Sequence, residues 1–443
     1  MDPRLLVYAT RQAPRYTSYP PAPHFTADVH AETFRGWLGA LPTRSAISLY
    51  VHVPYCRQLC WYCGCNTYAA RREEPLQQFV QALFSEIELI ADASSARRIT
   101  EIHWGGGTPN ILSADAFSEI AQRIASAFDT SDCVHHAIEI DPRRLDAREA
   151  DAYARAGVNR ASLGVQDLNA HVQRAIGRVQ PAELVRQAVS TLRAAGVQNI
   201  SMDLMYGLPH QSTEDLRRTV QIAASMQPDR ISLFGYAHVP WFKKRQRLIA
   251  EAALPGSEER FEQATVARAD LQALGYVAIG LDHFALASDG LTDAQRTGRL
   301  RRSFQGYVAK VADAIIGLGP SAISTLPQGY VQNASEPGEW SHAIASNQLA
   351  TTRGHALSAD DRVRRKVIEQ LMCDFEANLA PLGGSSACHA ELADLAPMFT
   401  DGLIELQGDQ LRLTEIGKPF CRLAAFAFDT YAVRGLARHS NAV

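Results

Sequence analysis

The stretch AISLYVHVPYCRQLCWYCGCN (46–66) decides how this chain is read. Its first half is a strand-length run of apolar and β-branched residues that stops at Pro54. Its second half carries Cys56, Cys60, Cys63 and Cys65, half of the chain's eight cysteines. A strand that delivers a thiol-rich loop at its C-terminal end is how a β/α fold presents a site, because that end faces the ligand.

Outward from this stretch the same rhythm repeats. Strand candidates follow at ITEIHWGG (99–106), HAIEID (136–141), RASLGVQ (160–166), ISMDLMYG (200–207), RISLFGYA (230–237) and YVAIGLDHFA (276–285). Amphipathic stretches separate them. In LQQFVQALFSEIELIADA, Phe79, Leu83, Ile87 and Ile90 recur every three or four residues and build one helical apolar face. Strands alternating with helices at this spacing run parallel through right-handed crossovers. The expectation is an α/β fold with a full or partial (β/α) barrel; an open doubly wound sheet is the alternative.

The expected organisation is an N-terminal arm (1–45), a barrel core (46–290), a connecting segment lining the site (291–350) and a C-terminal region (351–443). The arm holds no long periodic segment, and its stretch APRYTSYPPAPHF, rich in Pro and aromatic residues, reads as irregular. RTGRLRRSFQGYVAK and IIGLGPSAIS read as loop and short strand. In the C-terminal region, SADDRVRRKVIEQLMCDF and HAELADLAPMFTDG read as helices, the second ending at Gly402. LIELQGDQLRLTEIGKPF reads as a hairpin turning at Gly408-Asp409, with a helix starting at Thr414. This makes a small, mostly helical, winged-helix-like module. Neither its helices nor its wing is strongly basic, so packing against the barrel is the reading preferred over DNA binding.

A formal charge of −3 argues against a general nucleic-acid binder. No uninterrupted apolar stretch is long enough to span a membrane. MDPRLLVYATRQAPRYTSYP (1–20) has no signal-peptide core and no cleavage site, which makes the cytoplasm, with its reduced thiols, the expected compartment. In that setting a tight cysteine cluster points to a metal or a metal cluster rather than to disulfides. Cys133, Cys373, Cys388 and Cys421 are scattered and read as ordinary packed thiols.

The spacing is Cys56-x3-Cys60-x2-Cys63. Three thiolates on one loop can hold three corners of a [4Fe–4S] cubane and leave one iron open. Zinc is the competing reading, with His52 or Cys65 completing the set, but zinc favours paired C-x2-4-C spacing with a second pair farther on. Cys65 is either a fourth ligand or a nearby thiol; its closeness to Cys63 makes joint ligation of one cubane awkward and favours the latter. Gly105, Gly106 and Gly107, with Thr108 and Pro109, end the second strand and let backbone approach a ligand. Glu139, Asp141, Gln166, Asp203, Tyr236 and His238 fall at the ends of further strands. One such residue is usually a helix cap, whereas a ring of them around one mouth reads as a site.

The cysteine spacing together with GGGTP resembles the radical S-adenosylmethionine (SAM) enzymes. Longer matches resemble one branch, the oxygen-independent coproporphyrinogen III oxidases. They are PRYTSYP (14–20), LYVHVPYC (49–56), CWYCGCN (60–66), HWGGGTPN (103–110), IEIDPR (138–143), LGVQD (163–167), DLMYGLP (203–209), GYAHVP (235–240), DHFA (282–285), FQGY (304–307), GPSAIS (319–324) and FDTY (428–431). Tyr55 and Tyr62 depart from the phenylalanine frequent in that branch, and the arm before Arg15 is short.

This resemblance implies a fold and a chemistry. The fold is a partial radical SAM barrel. Cys56, Cys60 and Cys63 would hold the cluster, SAM would chelate the open iron, and a 5′-deoxyadenosyl radical would take hydrogen from a propionate β-carbon of coproporphyrinogen III. No catalytic side chain beyond that cofactor-derived radical is implied. Loss of CO2 and one further electron would leave a vinyl group, twice over giving protoporphyrinogen IX. Two SAM molecules are implied: Tyr50, Gly106, Glu139 and Ile323 as contacts of the first, and Tyr62, Gly107, Thr108, Gln166, Arg178, Asp203 and Ala237 of the second. The implied partners are the tetrapyrrole and an electron donor such as flavodoxin or ferredoxin, with the chain expected to be a monomer. Arg15, WFKKRQR (241–247) and RLRR (299–302) are the candidate cations for the substrate carboxylates. His52 is read as either tuning the cluster region or simply packed in its strand. A haem-trafficking protein and a methyl-transferring or cyclopropanating enzyme on the same scaffold are the competing functions.

Overall fold

The computed structural model of the chain describes residues 3–309 and 312–432. Lys310 of the 296–310 segment and residues 433–443 of the C-terminal region lie outside the described residues.

Six parallel strands form the centre of one sheet: β1 Ala46–Val53, β2 Arg98–Gly106, β3 His135–Ile140, β4 Arg160–Gln166, β5 Asn199–Tyr206 and β6 Arg230–Gly235. They lie side by side in chain order, each paired in parallel with the next. Because the order never reverses, right-handed crossovers place the connecting helices on the same face. A doubly wound sheet needs a switch in that order, so the barrel-type reading holds. The sheet does not close. Ala314–Leu318 adds in parallel beside β1, and Ile323–Leu326, Gly329–Asn333 and Thr351–Ala356 continue it antiparallel. Antiparallel His283–Ala285 and Val277–Ile279 extend the β6 edge.

Six helices follow from the sequence pattern: α1 Glu74–Ala93, α2 Ala114–Ala127, α3 Ala147–Arg155, α4 Ala182–Ala195, α5 Thr213–Ser225 and α6 Ser257–Ala273. α1 begins with Pro75 in its first turn, where the missing N–H costs nothing, and buries Leu76, Phe79, Leu83, Ile87 and Ile90. α5 is started by a capping box between Ser212 and Asp215, a device worth about 1 kcal/mol. Leu83, Ile87, Phe117, Val185 and Val220 pack with Leu49, Val51, Trp104, Ile138, Leu163 and Leu204 in one core. The strands' two-residue period then leaves Tyr50, His103, Glu139, Ser162, Gln166 and Asp203 half-buried on the opposite, inner face.

Three local readings differ from the sequence expectation. The run 276–285 is two short antiparallel strands, not one parallel strand. The physical reason is Gly280, which turns the chain at φ 53°, a conformation that costs glycine little. HAELADLAPMFTDG divides into helices His389–Asp394 and Ala396–Thr400, with Pro397 opening the second. The helix expected from Thr414 begins at Cys421, after a short 3-10 turn at Lys418–Phe420.

In the C-terminal region, helix Ala359–Cys373 is capped by Ser358 and Asp361. The hairpin Ile404–Gln407/Gln410–Leu413 gains a third strand, Glu376–Asn378. This region shares a core with the arm, Tyr8, Tyr16 and Tyr19 packing with Leu371, Met372, Phe420 and Phe428. Tyr16 donates to Asp429 at 3.0 Å, which fixes the arm where it passes the inner face. Cys373, Cys388 and Cys421 are buried free thiols, and Cys133 is half-buried.

Candidate active site

The cysteine loop leaves β1 and is closed on itself. Tyr55–Cys56 pairs with Tyr68–Ala69, and the Ala70 amide donates to the Cys56 carbonyl at 3.0 Å. The end of β2 seats it: the Gly107 amide donates to Val53 at 2.7 Å and the Thr108 amide to Tyr55 at 2.9 Å. Only glycine fits there. A Cβ on Gly107 would stand 2.5 Å from the Tyr55 carbonyl oxygen, and one on Gly106 would stand 2.7 Å from the His52 ring. Gly106 also takes φ 108°, in the left-handed half of backbone space. The far side of the loop is held by the Trp61 amide on the Ile176 carbonyl at 3.0 Å.

His52 is a buried strand histidine that supports this loop. Its Nε2 lies 3.2 Å from the Asn66 carbonyl. A carbonyl can only accept, so Nε2 carries the proton and Nδ1 is left as the acceptor. The Tyr50 hydroxyl donates to Nδ1 at 3.2 Å. Burial pulls the His52 pKa down, which keeps the ring neutral.

Charge is arranged around the thiols. Arg178 donates to the Cys60 sulfur at 3.4 Å, to Asp141 at 3.4 Å and to the Gly164 carbonyl at 2.7 Å. Arg143 pairs with Asp141 at 2.6 Å and reaches Cys60 at 3.8 Å. Burial alone would raise Asp141, but Arg143 and Arg178 hold it below the usual carboxylate range. Glu139 is treated alike: burial raises it, and the His103 hydrogen bond at 3.1 Å and the Gly106 amide at 3.3 Å outweigh that, so it stays charged. Asp203 has weaker support, with Ser162 donating at 3.3 Å, and burial followed by repulsion from Glu139 pushes it up to about 6. The Cys65 thiol donates to Cys63, lowering the Cys63 pKa and raising its own. Burial, then repulsion from Cys63, pushes Cys56 up to about 12.

One cavity of about 540 Å³ collects most of the expected residues. Cys56, Cys60, Cys63, Tyr62, Gly106, Gly107, Thr108, Glu139, Gln166, Arg178, Asp203 and Ala237 all line it. Two do not. Tyr50 stacks on His103 behind the wall. Ile323 packs beside the cluster of Phe25, Tyr330 and Leu357. Thr108 is already engaged, donating to Asn110 at 2.6 Å and accepting from the Asp141 amide at 3.3 Å. Gln166, at the end of β4, takes φ 67°. That left-handed conformation is uncommon for a residue that bears a side chain.

The candidate cations divide. Arg15 and Lys243 line the cavity, and Lys243 donates to the Cys65 carbonyl at 3.2 Å. Arg301 and Arg302 border a separate cavity instead, and Arg302 faces Asp282 at 3.7 Å and covers the Tyr307 ring. The sequence reading assigned no role to Arg143, Ser162, Gly164, Met205 or Gln246. The strand period marks Ser162, Gly164 and Met205 as inner-face positions, while nothing local marks Gln246, whose amide donates to the Tyr62 carbonyl at 2.8 Å.

The donor set fits a cluster with an open iron and an anionic, amino-bearing ligand. Arg178 keeps a buried Nε with no hydrogen-bond partner among the described residues, beside Cys60.

An open β/α barrel with a three-cysteine loop and a glycine-lined cavity at its strand ends defines a radical SAM enzyme, and the radical SAM superfamily pattern matches residues 50–223. The oxygen-independent coproporphyrinogen III oxidase of Bradyrhizobium diazoefficiens is 43% identical over 442 residues, 98% of each chain. That of Paracoccus denitrificans is 42% identical over 438 residues, 98% of this chain and 97% of the relative. Coproporphyrinogen III oxidase from Escherichia coli, a solved structure described as a radical SAM enzyme, superposes with a TM-score of 0.90 at 34% identity, covering 95% of this chain and 100% of that one. The chain belongs to the oxygen-independent coproporphyrinogen III oxidase family.

Proposed function

We propose that this chain converts two propionate side chains of coproporphyrinogen III to vinyl groups without oxygen, giving protoporphyrinogen IX in haem biosynthesis. The observation that carries this is the convergence of the three loop thiols, the β2 glycines and the polar ends of β3, β4 and β5 on one cavity of about 540 Å³, in a member of this family. Cys56, Cys60 and Cys63 are the residues that hold a [4Fe–4S] cluster. Bound together, cluster and SAM supply the carbon-centred radical that takes hydrogen from a propionate β-carbon, chemistry no side chain can perform.

The protein's part is binding, orientation and exclusion of water. Glu139, held charged, suits a ribose hydroxyl or amino group of a first SAM, with Gly106 beside it, while Tyr50 and Ile323 stand outside the cavity lining. Arg178, already aimed past Cys60, suits the carboxylate of a second SAM, with Tyr62, Gly107, Thr108, Gln166, Asp203 and Ala237 around it. An electron carrier of the flavodoxin or ferredoxin kind serves the cluster, and the chain acts as a cytoplasmic monomer. Among the described residues no helix is long and apolar enough to cross a membrane.

The test is an anaerobic assay of reconstituted protein with reductant, SAM and coproporphyrinogen III. Vinyl product with 5′-deoxyadenosine supports the proposal. Haem retained without turnover, or S-adenosylhomocysteine in place of methionine, contradicts it.

A further inference from the structure

Beyond the cysteine cavity lies a second one of about 330 Å³, between β5, β6, α6, the N-terminal arm and the C-terminal region. Arg15, Phe234 and Gly235 line both, so the two adjoin. Four arginines from three parts of the chain face the second cavity: Arg15 of the arm, Arg260 and Arg268 of α6, and Arg422 of helix Cys421–Ala427. Its apolar wall includes Phe234, Phe261 and Phe284.

Three of these cations are not gathered by acids. Arg15 donates to the Gly235 carbonyl at 3.0 Å, and Arg268 donates to the Leu281 carbonyl at 2.8 Å and lies over the Phe284 ring. Arg260 lies over the Tyr206 ring and reaches the Gly207 carbonyl at 3.5 Å; its buried Nε has no hydrogen-bond partner among the described residues. Among the described residues no carboxylate pairs with Arg15, Arg260 or Arg268. The two acids on this wall pair directly with other groups, Asp282 with His283 at 2.8 Å and Arg302 at 3.7 Å, and Glu415 with Lys418 at 2.5 Å; Asp282 still offsets part of the charge of Arg15 and Arg268. Burial and repulsion from Arg15 lower both Arg260 and Arg422. The backbone makes room for this charge: a Cβ on Gly207 would collide with Arg260 Nη1, and one on Gly235 would stand 3.2 Å from Nη2. Four crowded arginines that share one nearby carboxylate are costly unless a further anion completes the site.

The geometry points to this cavity as a carboxylate subsite, in which Arg260, with Arg15 and Arg268, binds tetrapyrrole propionates that are not reacting and so presents a reacting one to the cysteine loop. This rests on the proposed reaction. The anion comes from the substrate and not from SAM, whose carboxylate belongs beside Arg178 in the first cavity.

The test uses the reconstituted holoenzyme and Arg260→Gln under anaerobic conditions. KM for coproporphyrinogen III should rise about tenfold or more, the worth of a charge-assisted hydrogen bond, while iron content, SAM affinity and substrate-free SAM cleavage hold. Arg260→Lys should recover part of the loss. The tetramethyl ester of the substrate should bind the parent weakly and discriminate little between parent and Arg260→Gln. Unchanged KM, or weakened SAM binding with unchanged KM, overturns the subsite. Should Arg260→Gln lose iron or melt early, Arg268→Gln, which lines the second cavity and not the cysteine cavity, carries the same readout. Equilibrium binding of coproporphyrinogen III without turnover separates the two readings. Parent protein that binds but makes no vinyl product refutes the reaction, whereas equal binding by parent and Arg260→Gln refutes the subsite.

Discussion

Replacing Gly107 by alanine tests how the cysteine loop is seated. The new Cβ would stand 2.5 Å from the Tyr55 carbonyl oxygen and 2.8 Å from its amide nitrogen. Both are backbone atoms, so no rotamer change relieves the contact. Either β2 or the Tyr55–Cys56 segment must move, and the Gly107–Val53 and Thr108–Tyr55 hydrogen bonds, 2.7 and 2.9 Å, weaken with it. Overpacking of this kind costs about 1–3 kcal/mol, which for a large chain means a fall of about 2–4 °C in Tm per kcal/mol. The functional effect is larger, since the strained segment carries Cys56: iron bound after anaerobic reconstitution should fall clearly, and SAM cleavage about tenfold or more. Gly36→Ala is the matched control. Gly36 lies inside helix Ala31–Gly39 with nothing within 4 Å of its added Cβ. That variant should gain about 0.4–1 kcal/mol and keep its iron. Gly107→Ala with parental Tm, iron and SAM cleavage would refute the reasoning.

Three further outcomes follow. Asp203 binds a proton more readily in the fold than in the unfolded chain, its pKa being raised to about 6 from 3.8, so apo-protein stability falls as pH rises through that window. Asp203→Asn should therefore raise Tm relative to the parent increasingly across that window, level off above it, and still impair SAM-dependent turnover; a pH-independent Tm difference contradicts the assignment. Arg178→Lys cannot span Cys60, Asp141 and Gly164 at once, and Asp141 keeps Arg143 at 2.6 Å, so the fold should survive. SAM binding should weaken about 10–100-fold; unchanged binding isotherms would remove Arg178 from the site. Cys65→Ser should retain its iron and absorbance after reconstitution, whereas loss of iron would make Cys65 a ligand.

Much of this was legible because two signals are strictly local. Period-two strands with apolar helices between them located the six central parallel strands to within a residue or two, while their unreversed order is read from the sheet itself. The cysteine spacing and the glycines at 105–107 mark the site because chemistry and sterics restrict those residue types. What was illegible depends on distant contacts. The turn that splits 276–285 is set by Gly280 under the Tyr307 ring, a partner from another hairpin. The strands between 314 and 356 are only four to six residues long, so their periodicity is weak. Arg302 sits in a basic run that reads as a substrate contact, yet it turns to Asp282 and Tyr307, and no run of charges encodes that choice. The arginine cavity draws on residues 15, 260, 268 and 422, which only the folded chain brings together.

The central claim is that Cys56, Cys60 and Cys63 hold a cubane with one iron left open. Electron paramagnetic resonance of anaerobically purified, reduced protein, recorded with and without SAM, tests it directly. The expected result is a [4Fe–4S] signal, with about four irons per chain, whose line shape changes when SAM is added and which vanishes in Cys63→Ala. A centre that ignores SAM, or one that survives in Cys63→Ala, would contradict the account.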